Sequence, residues 1–164
     1  IINNYEEKNL ADIIYQYGEE RASRRVARAI VNLRDRTPIK RTLQLAEVVR
    51  GVVKHSQDGI DPATRTFQAL RIYVNDELGE LERGLAAAET LLVPGGRLVI
   101  LSFHSLEDRL VKRRFRDSAR DEATSENTSV FRVLTKKPSV VGQSELAINP
   151  RARSARLRVL ECLR

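Results

Sequence analysis

The run Pro94-Gly95-Gly96-Arg97-Leu98-Val99-Ile100-Leu101-Ser102-Phe103-His104-Ser105-Leu106-Glu107-Asp108-Arg109 constrains the fold more than any other stretch of this chain. A Pro-Gly-Gly turn feeds a short apolar run that ends abruptly in small polar residues and a histidine. Leu98 to Leu101 shows no alternation, which predicts a strand buried on both faces, as in a parallel sheet. Ligands of open α/β sheets bind beyond the carboxyl ends of the strands, where Ser102, His104 and Ser105 fall. Ser105 with Asp108 three residues on is a helix-starting pattern, hydroxyl and carboxylate each satisfying a free backbone N–H. A βα corner is therefore expected here, with any chemistry located at it.

Around this corner the rest of the chain reads as helices first and strands last. Leu10, Ile13, Ile14 and Tyr17 keep helical spacing, and Gly18 is the expected C-cap. Glu19 to Leu33 follows as a second helix with Ala22, Val26, Ala29, Ile30 and Leu33 on one face. A third opens at Thr37-Pro38, with Leu43, Leu45, Ala46, Val48, Val49, Val52 and Val53 as its apolar set. His55 to Gly59 reads as a loop, and His55 as an exposed loop residue. Asp61-Pro62 starts a long helix whose apolar stripe reaches Leu92, about 45 Å at ~1.5 Å per residue, with a break expected near Asn75 to Gly79. Thr64, Arg65, Thr66 and Gln68 give its first turn a polar face, open to a role in a site or simply in the turn. Leu106, Leu110, Val111 and Phe115 face a helix inward. Asp117 to Ser129 reads as a polar loop, and Val130 to Thr135 as a strand stopped by Lys136-Lys137-Pro138. The chain then loops to Asn149–Ser154. Ala155 to Leu160 alternates basic and apolar residues, as an antiparallel edge strand with a wet basic face would. The class is α/β.

Charge narrows the partner. Against 22 acidic residues stand 29 basic ones, a net +7 in 164 residues. From Arg21 to Arg41 there are eight basic residues and one acid, an excess of +7 in that span alone. Arg21, Arg24, Arg25 and Arg28 fall at i, i+3, i+4 and i+7, so they line one helical face where like charges repel. An ordinary solvated face mixes signs. This one suits a polyanion, because guanidinium groups make bidentate contacts with phosphate. Arg109, Lys112, Arg113, Arg114 and Arg116 form a second basic cluster. No apolar run approaches the ~20 residues of a membrane span. Cys162 is the only cysteine and the two histidines lie far apart, so neither a disulfide nor a structural zinc is expected.

His104 is the one residue at the corner able to move a proton near neutral pH. It reads either as a base or substrate-orienting group, or as a histidine fixing the corner through backbone hydrogen bonds. No Gly-x-Gly-x-x-Gly or Walker-type loop occurs, and Gly95-Gly96 alone is a turn signal. The chain opens Ile1-Ile2-Asn3 without an initiator methionine and reads as part of a longer protein.

The Pro94–Arg109 run resembles the signature segment of the RsmH (MraW) family, S-adenosylmethionine-dependent methyltransferases of small-subunit ribosomal RNA. Tyr17–Val31, Pro62–Arg71 and Asn149–Ser154 resemble the same family in the expected order. Asp61 and Ala22 depart from it, standing where many members carry histidine and phenylalanine. The resemblance implies N4-methylation of a cytidine in the decoding region of bacterial small-subunit rRNA. It implies a class I (Rossmann-like) methyltransferase sheet, of which residues 61–164 would be the closing part. Residues 1–60 would be the latter part of an inserted helical substrate-recognition domain. Arg21, Arg24, Arg25, Arg28, Arg41, Arg65, Arg109 and Lys112 would hold rRNA phosphates, while Ser102, His104 and Ser105 would line the pocket for the target base. The cofactor-binding residues would lie outside this chain, which by itself would be inactive. Methyl transfer from a sulfonium needs in-line positioning and no metal, and a paired target base must be unstacked to be reached. The ribosomal substrate implies a cytoplasmic protein. The rivals are a non-enzymatic basic RNA-binding module and another Rossmann-like enzyme using a nicotinamide cofactor or nucleotide.

Overall fold

A computed structural model describes residues 1–54, 59–120 and 129–164. The expected loop at His55 and most of the polar loop at Asp117 to Ser129 lie outside the described residues. The chain divides into two compact units, Ile1–Glu77 and Leu78–Arg164.

The first unit is helical. Helices α1 (Glu7–Gly18), α2 (Ser23–Arg34) and α3 (Thr42–Val52) bury most of the stripes their spacing foretold. Helix α4 (Thr64–Asn75) instead buries Thr66, Ala69 and Ile72, leaving Phe67 and Leu70 partly buried and Val74 exposed. Leu10 and Ile14 of α1, Val26, Ala27 and Ile30 of α2, and Leu45, Ala46 and Val49 of α3 form one core. Gly18 is not the left-handed C-cap; that is Glu19, at φ 51°. Glycine is required at 18 because a Cβ there would sit 2.5 Å from the Arg65 carbonyl oxygen, where α4 crosses α1. Helix α3 starts later than Thr37-Pro38 because Ile39 is buried in an extended segment. Its amide donates to Asn3 Oδ1 (3.0 Å) and its carbonyl accepts from Asn3 Nδ2 (2.9 Å). Asp61 accepts the Ala63 amide at 2.8 Å, but in the turn ahead of α4, whose N-cap is Ala63, so this helix starts later than Asp61-Pro62. The stripe that reached Leu92 is split, because Asp76 adopts φ 49° between α4 and α5 (Glu77–Thr90).

The second unit holds the sheet. After α5 come β1 (Arg97–Ser102), α6 (Ser105–Ser118), β2 (Phe131–Val133), β3 (Ser139–Val140), α7 (Gln143–Ile148), a 3-10 turn (Pro150–Ser154) and β4 (Arg156–Cys162). Gly95, at φ 78°, turns the chain into β1, donating its N–H to the Cys162 carbonyl at 2.8 Å. Two expectations about strands are corrected. Among the described residues every pairing is antiparallel, in the order β1-β4-β2 with β3 also on β4, so β4 is central rather than an edge. Strand β1 is covered on one face only. Leu98 and Ile100 pack with Leu85, Val111, Phe115 and Leu160, whereas Val99 and Leu101 are each 53% exposed. An unbroken apolar run shows that neither face of a strand is polar, not that both are covered. The six-residue α7 falls where a loop was expected; it buries no residue and is too short for periodicity to reveal.

Candidate functional site

At the end of β1 the chain makes the expected strand-to-helix corner, but its residues take other jobs than their spacing suggested. His104, not Ser105, is the N-cap of α6. The Glu107 amide donates to His104 Nδ1 at 3.4 Å, and the Glu107 carboxylate accepts the amides of Phe103 (2.8 Å) and His104 (3.3 Å). This reciprocal arrangement is a capping box with histidine in place of the usual serine or threonine. His104 Nε2 also lies 3.3 Å from Glu107 Oε1, so both ring nitrogens face the same residue. Burial raises the Glu107 pKa, but the His104 side chain and the amides it accepts more than offset this, and the net shift is downward. Ser105 is the first helical residue. Ser102 is buried and its hydroxyl donates to the Arg156 carbonyl at 3.3 Å, stitching β1 to β4.

Asp108 does not cap the helix. It is buried and faces β4, where Arg158 donates to it from Nε (2.7 Å) and Nη2 (3.1 Å), and Arg156 from Nη1 (3.1 Å). The Arg158 hydrogen bonds, followed by those of Arg156, hold the Asp108 carboxyl below the usual range despite burial. Arg158 of β4 thus points at α6 rather than at water, only 5% exposed, while Arg156 reaches Asp108 from an exposed position. On the opposite face Glu161 bridges the three strands, accepting from Arg97 Nε and Arg132 Nε, each at 3.1 Å. Arg132, then Arg97, depresses its pKa.

The arginine face survives in part. Arg24, Arg25 and Arg28 stand exposed on α2. Arg24 and Arg25 have no ion pair among the described residues, and Arg28 lies 3.5 Å from Glu7. Arg21 is exposed in the turn before α2, Arg41 at the start of α3 and Arg65 on α4. Arg34 is spent internally, donating to the Ile2 carbonyl at 2.8 Å. In the second unit Arg109 and Lys112 are exposed on α6. Arg114 of the same cluster is instead paired with the buried Glu89 of α5.

Sequence reasoning missed a cleft of about 470 Å³ in the first unit, lined by Ala46, Arg50, Asp61, Phe67, Gln68 and Arg71 among others. Arg50 grips Asp61 through both Nε contacts (3.2 and 3.1 Å), joining α3 to the turn before α4. Only the polar first turn around Thr64 and Gln68 hinted at it. Among the described residues no cluster of His, Cys, Asp and Glu could hold a metal ion, and no helix is long and apolar enough to cross a membrane.

Comparison with known proteins adds what geometry does not. The family described as the MraW methylase family matches residues 1–163. A protein of Rhodospirillum centenum named "Ribosomal RNA small subunit methyltransferase H" is 60% identical, over 98% of this chain and 52% of its own length. Proteins of the same name from Deinococcus deserti and Wolbachia pipientis are 56% and 51% identical, over 98% and 99% of this chain and 50% and 54% of their own lengths. The chain spans about half the length of the curated relatives it matches.

Proposed function

The chain belongs to the MraW methylase family, and from that premise we propose that it is part of an enzyme methylating small-subunit ribosomal RNA. Family membership along almost the whole chain is the observation that carries this reading. In finer terms the reaction is methylation at N4 of a cytidine in the decoding region of the bacterial RNA, with S-adenosylmethionine as the methyl donor. Its setting is cytoplasmic, where that RNA is assembled into subunits.

The two parts of the chain take different roles in this proposal. Residues 1–60 are the latter part of a helical substrate-recognition insert, and residues 61–164 close a Rossmann-like catalytic sheet. The exposed Arg24, Arg25 and Arg28, with Arg21, Arg41 and Arg65 as further cations, hold RNA phosphates; Arg109 and Lys112 do so from α6. Side chains of this length reach phosphates as flexible, solvated cations, and the exposure of all eight supports the role.

The corner residues already hold contacts within the chain: Glu107 Oε2 accepts two backbone amides, buried Asp108 faces two guanidinium groups, and buried Ser102 donates to a carbonyl. The donor's contacts are assigned to the rest of the enzyme, and the chain alone is an incomplete, inactive portion. The same committed groups favour a second reading for the isolated chain, a non-enzymatic basic RNA-binding module. Small subunits lacking the modification, incubated with S-adenosylmethionine labelled in its methyl group, separate the two. The intact enzyme should label a single cytidine, and the chain alone should bind RNA without labelling it. Labelling of another nucleotide by the intact enzyme would sink the finer assignment, and turnover by the chain alone would sink its incompleteness.

A further inference from the structure

The segment Lys136-Lys137-Pro138 does more than end β2. It brings Lys136 to a cleft of about 210 Å³ in the second unit, lined by Lys112, Phe115, Arg116, Val133, Thr135, Lys136 and Arg158. Four of these residues are cations and none is an acid. Lys112 and Lys136 have no partner among the described residues, although 24 residues of sequence separate them. Arg116 pairs with Asp117 at 2.9 Å. Arg158 forms the inner wall, and there the single carboxylate of Asp108 answers two guanidiniums, Arg156 and Arg158. The lining therefore carries an excess of positive charge. Thr135 adds a neutral donor. Its Oγ1 accepts the Val159 amide at 2.8 Å, which fixes the oxygen and leaves the hydroxyl proton pointing elsewhere.

We propose that this cleft binds one phosphodiester of a single-stranded RNA, with Lys112 and Lys136 on the phosphate oxygens and Thr135 donating from the wall. The inference rests on the ribosomal-RNA reading above and adds a subsite to it. Size selects the occupant. The volume is below the roughly 300–1,000 Å³ of pockets that enclose a whole small ligand, so a phosphate with its ribose fits better than a complete nucleotide. The floor of Phe115 and Val133 is apolar, as the carbon face of a ribose requires. Two lysines with no carboxylate partner among the described residues attract an anion as point charges and impose no sequence preference, which marks a positioning contact on the strand.

The test is fluorescence anisotropy of the full chain with a labelled single-stranded RNA oligonucleotide over a range of KCl. The double variant Lys112→Gln with Lys136→Gln should bind about five- to tenfold more weakly at low salt, and its log–log salt slope should fall by roughly 0.7, the value for one phosphate on a single strand. A control double variant, Lys8→Gln with Lys137→Gln, removes the same charge at residues that do not line the cleft and should change the slope by less than half as much. Equal effects of the two pairs would reduce the cleft to net charge and overturn the proposal. Inorganic phosphate at matched ionic strength should displace no more RNA than KCl does; specific displacement would make this a free-phosphate site and also overturn it. If the cleft variant binds like wild type while Arg24→Ala with Arg28→Ala lowers the slope, the subsite fails and the RNA reading stands. A wild-type chain with no salt-dependent RNA affinity would overturn both.

Discussion

Asp108 and His104 show how much a residue's role depends on what the fold places beside it. Both sit within the first turn of a helix, where local sequence offers carboxylates and hydroxyls as caps. Asp108 instead neutralises a guanidinium buried under α6, and removing one partner of such a pair leaves the other charged and unsolvated. Asp108→Asn should therefore cost roughly 3 kcal/mol in chemical denaturation. Arg156→Ala removes only the exposed partner and should cost less than about 1 kcal/mol. Equal losses would mean that Arg158 finds another counter-charge. His104 holds the corner through Nδ1, and asparagine is among the best residues for that capping job. In the intact enzyme His104→Asn should keep the melting temperature within a few degrees of wild type. If His104 contacts the target base, turnover should fall at least tenfold with donor affinity unchanged; if it only caps the helix, turnover should survive.

At the scale of elements, the second helix keeps its apolar stripe and loses part of its basic one. Val26 and Ile30 enter the core as the spacing required, joined by Ala27 from outside the expected stripe, and the same geometry leaves Arg24, Arg25 and Arg28 outside. Arg21 drops off the helix because α2 begins at Ser23, where Glu20 has already turned the chain by accepting the Ala22 amide at 2.7 Å. Arg24→Ala with Arg28→Ala should lower the log–log salt slope of single-stranded RNA binding by about 1.4, or about 0.7 per lost phosphate contact. An unchanged slope would remove α2 from the RNA surface. In β4 the alternation of arginine with leucine and valine was readable, but which face was wet was not. A lone strand cannot show that a carboxylate waits on the covered side.

For the molecule as a whole, acid should weaken the second unit. Glu107, Asp108 and Glu161, all in that unit, are held below their usual pKa. A depressed folded pKa means that the unfolded chain binds more protons, so stability rises with pH through that window. The contribution is complete above about pH 4 and is lost as pH falls through the lower folded values. Amide exchange followed on acidification should lose protection in β1 and β4 through this window. Unchanged protection of both strands well below pH 4 would contradict the assignment. Although α4 buries a different face from the one its spacing suggested, the α/β class, the stripes of the first three helices, the break near Asn75 and the strand–helix corner were legible in the sequence. Each depends on spacing within a single element, which backbone periodicity fixes locally. The family was legible for a different reason, since its signature residues run contiguously from Pro94 to Arg109. Only the tertiary structure decided that β4 is central, that His104 caps, that Asp108 and Arg158 meet across 50 residues, and that Lys112 and Lys136 share a cleft. Those facts depend on which surfaces pack together, and pairing between distant segments leaves no period in the chain to read.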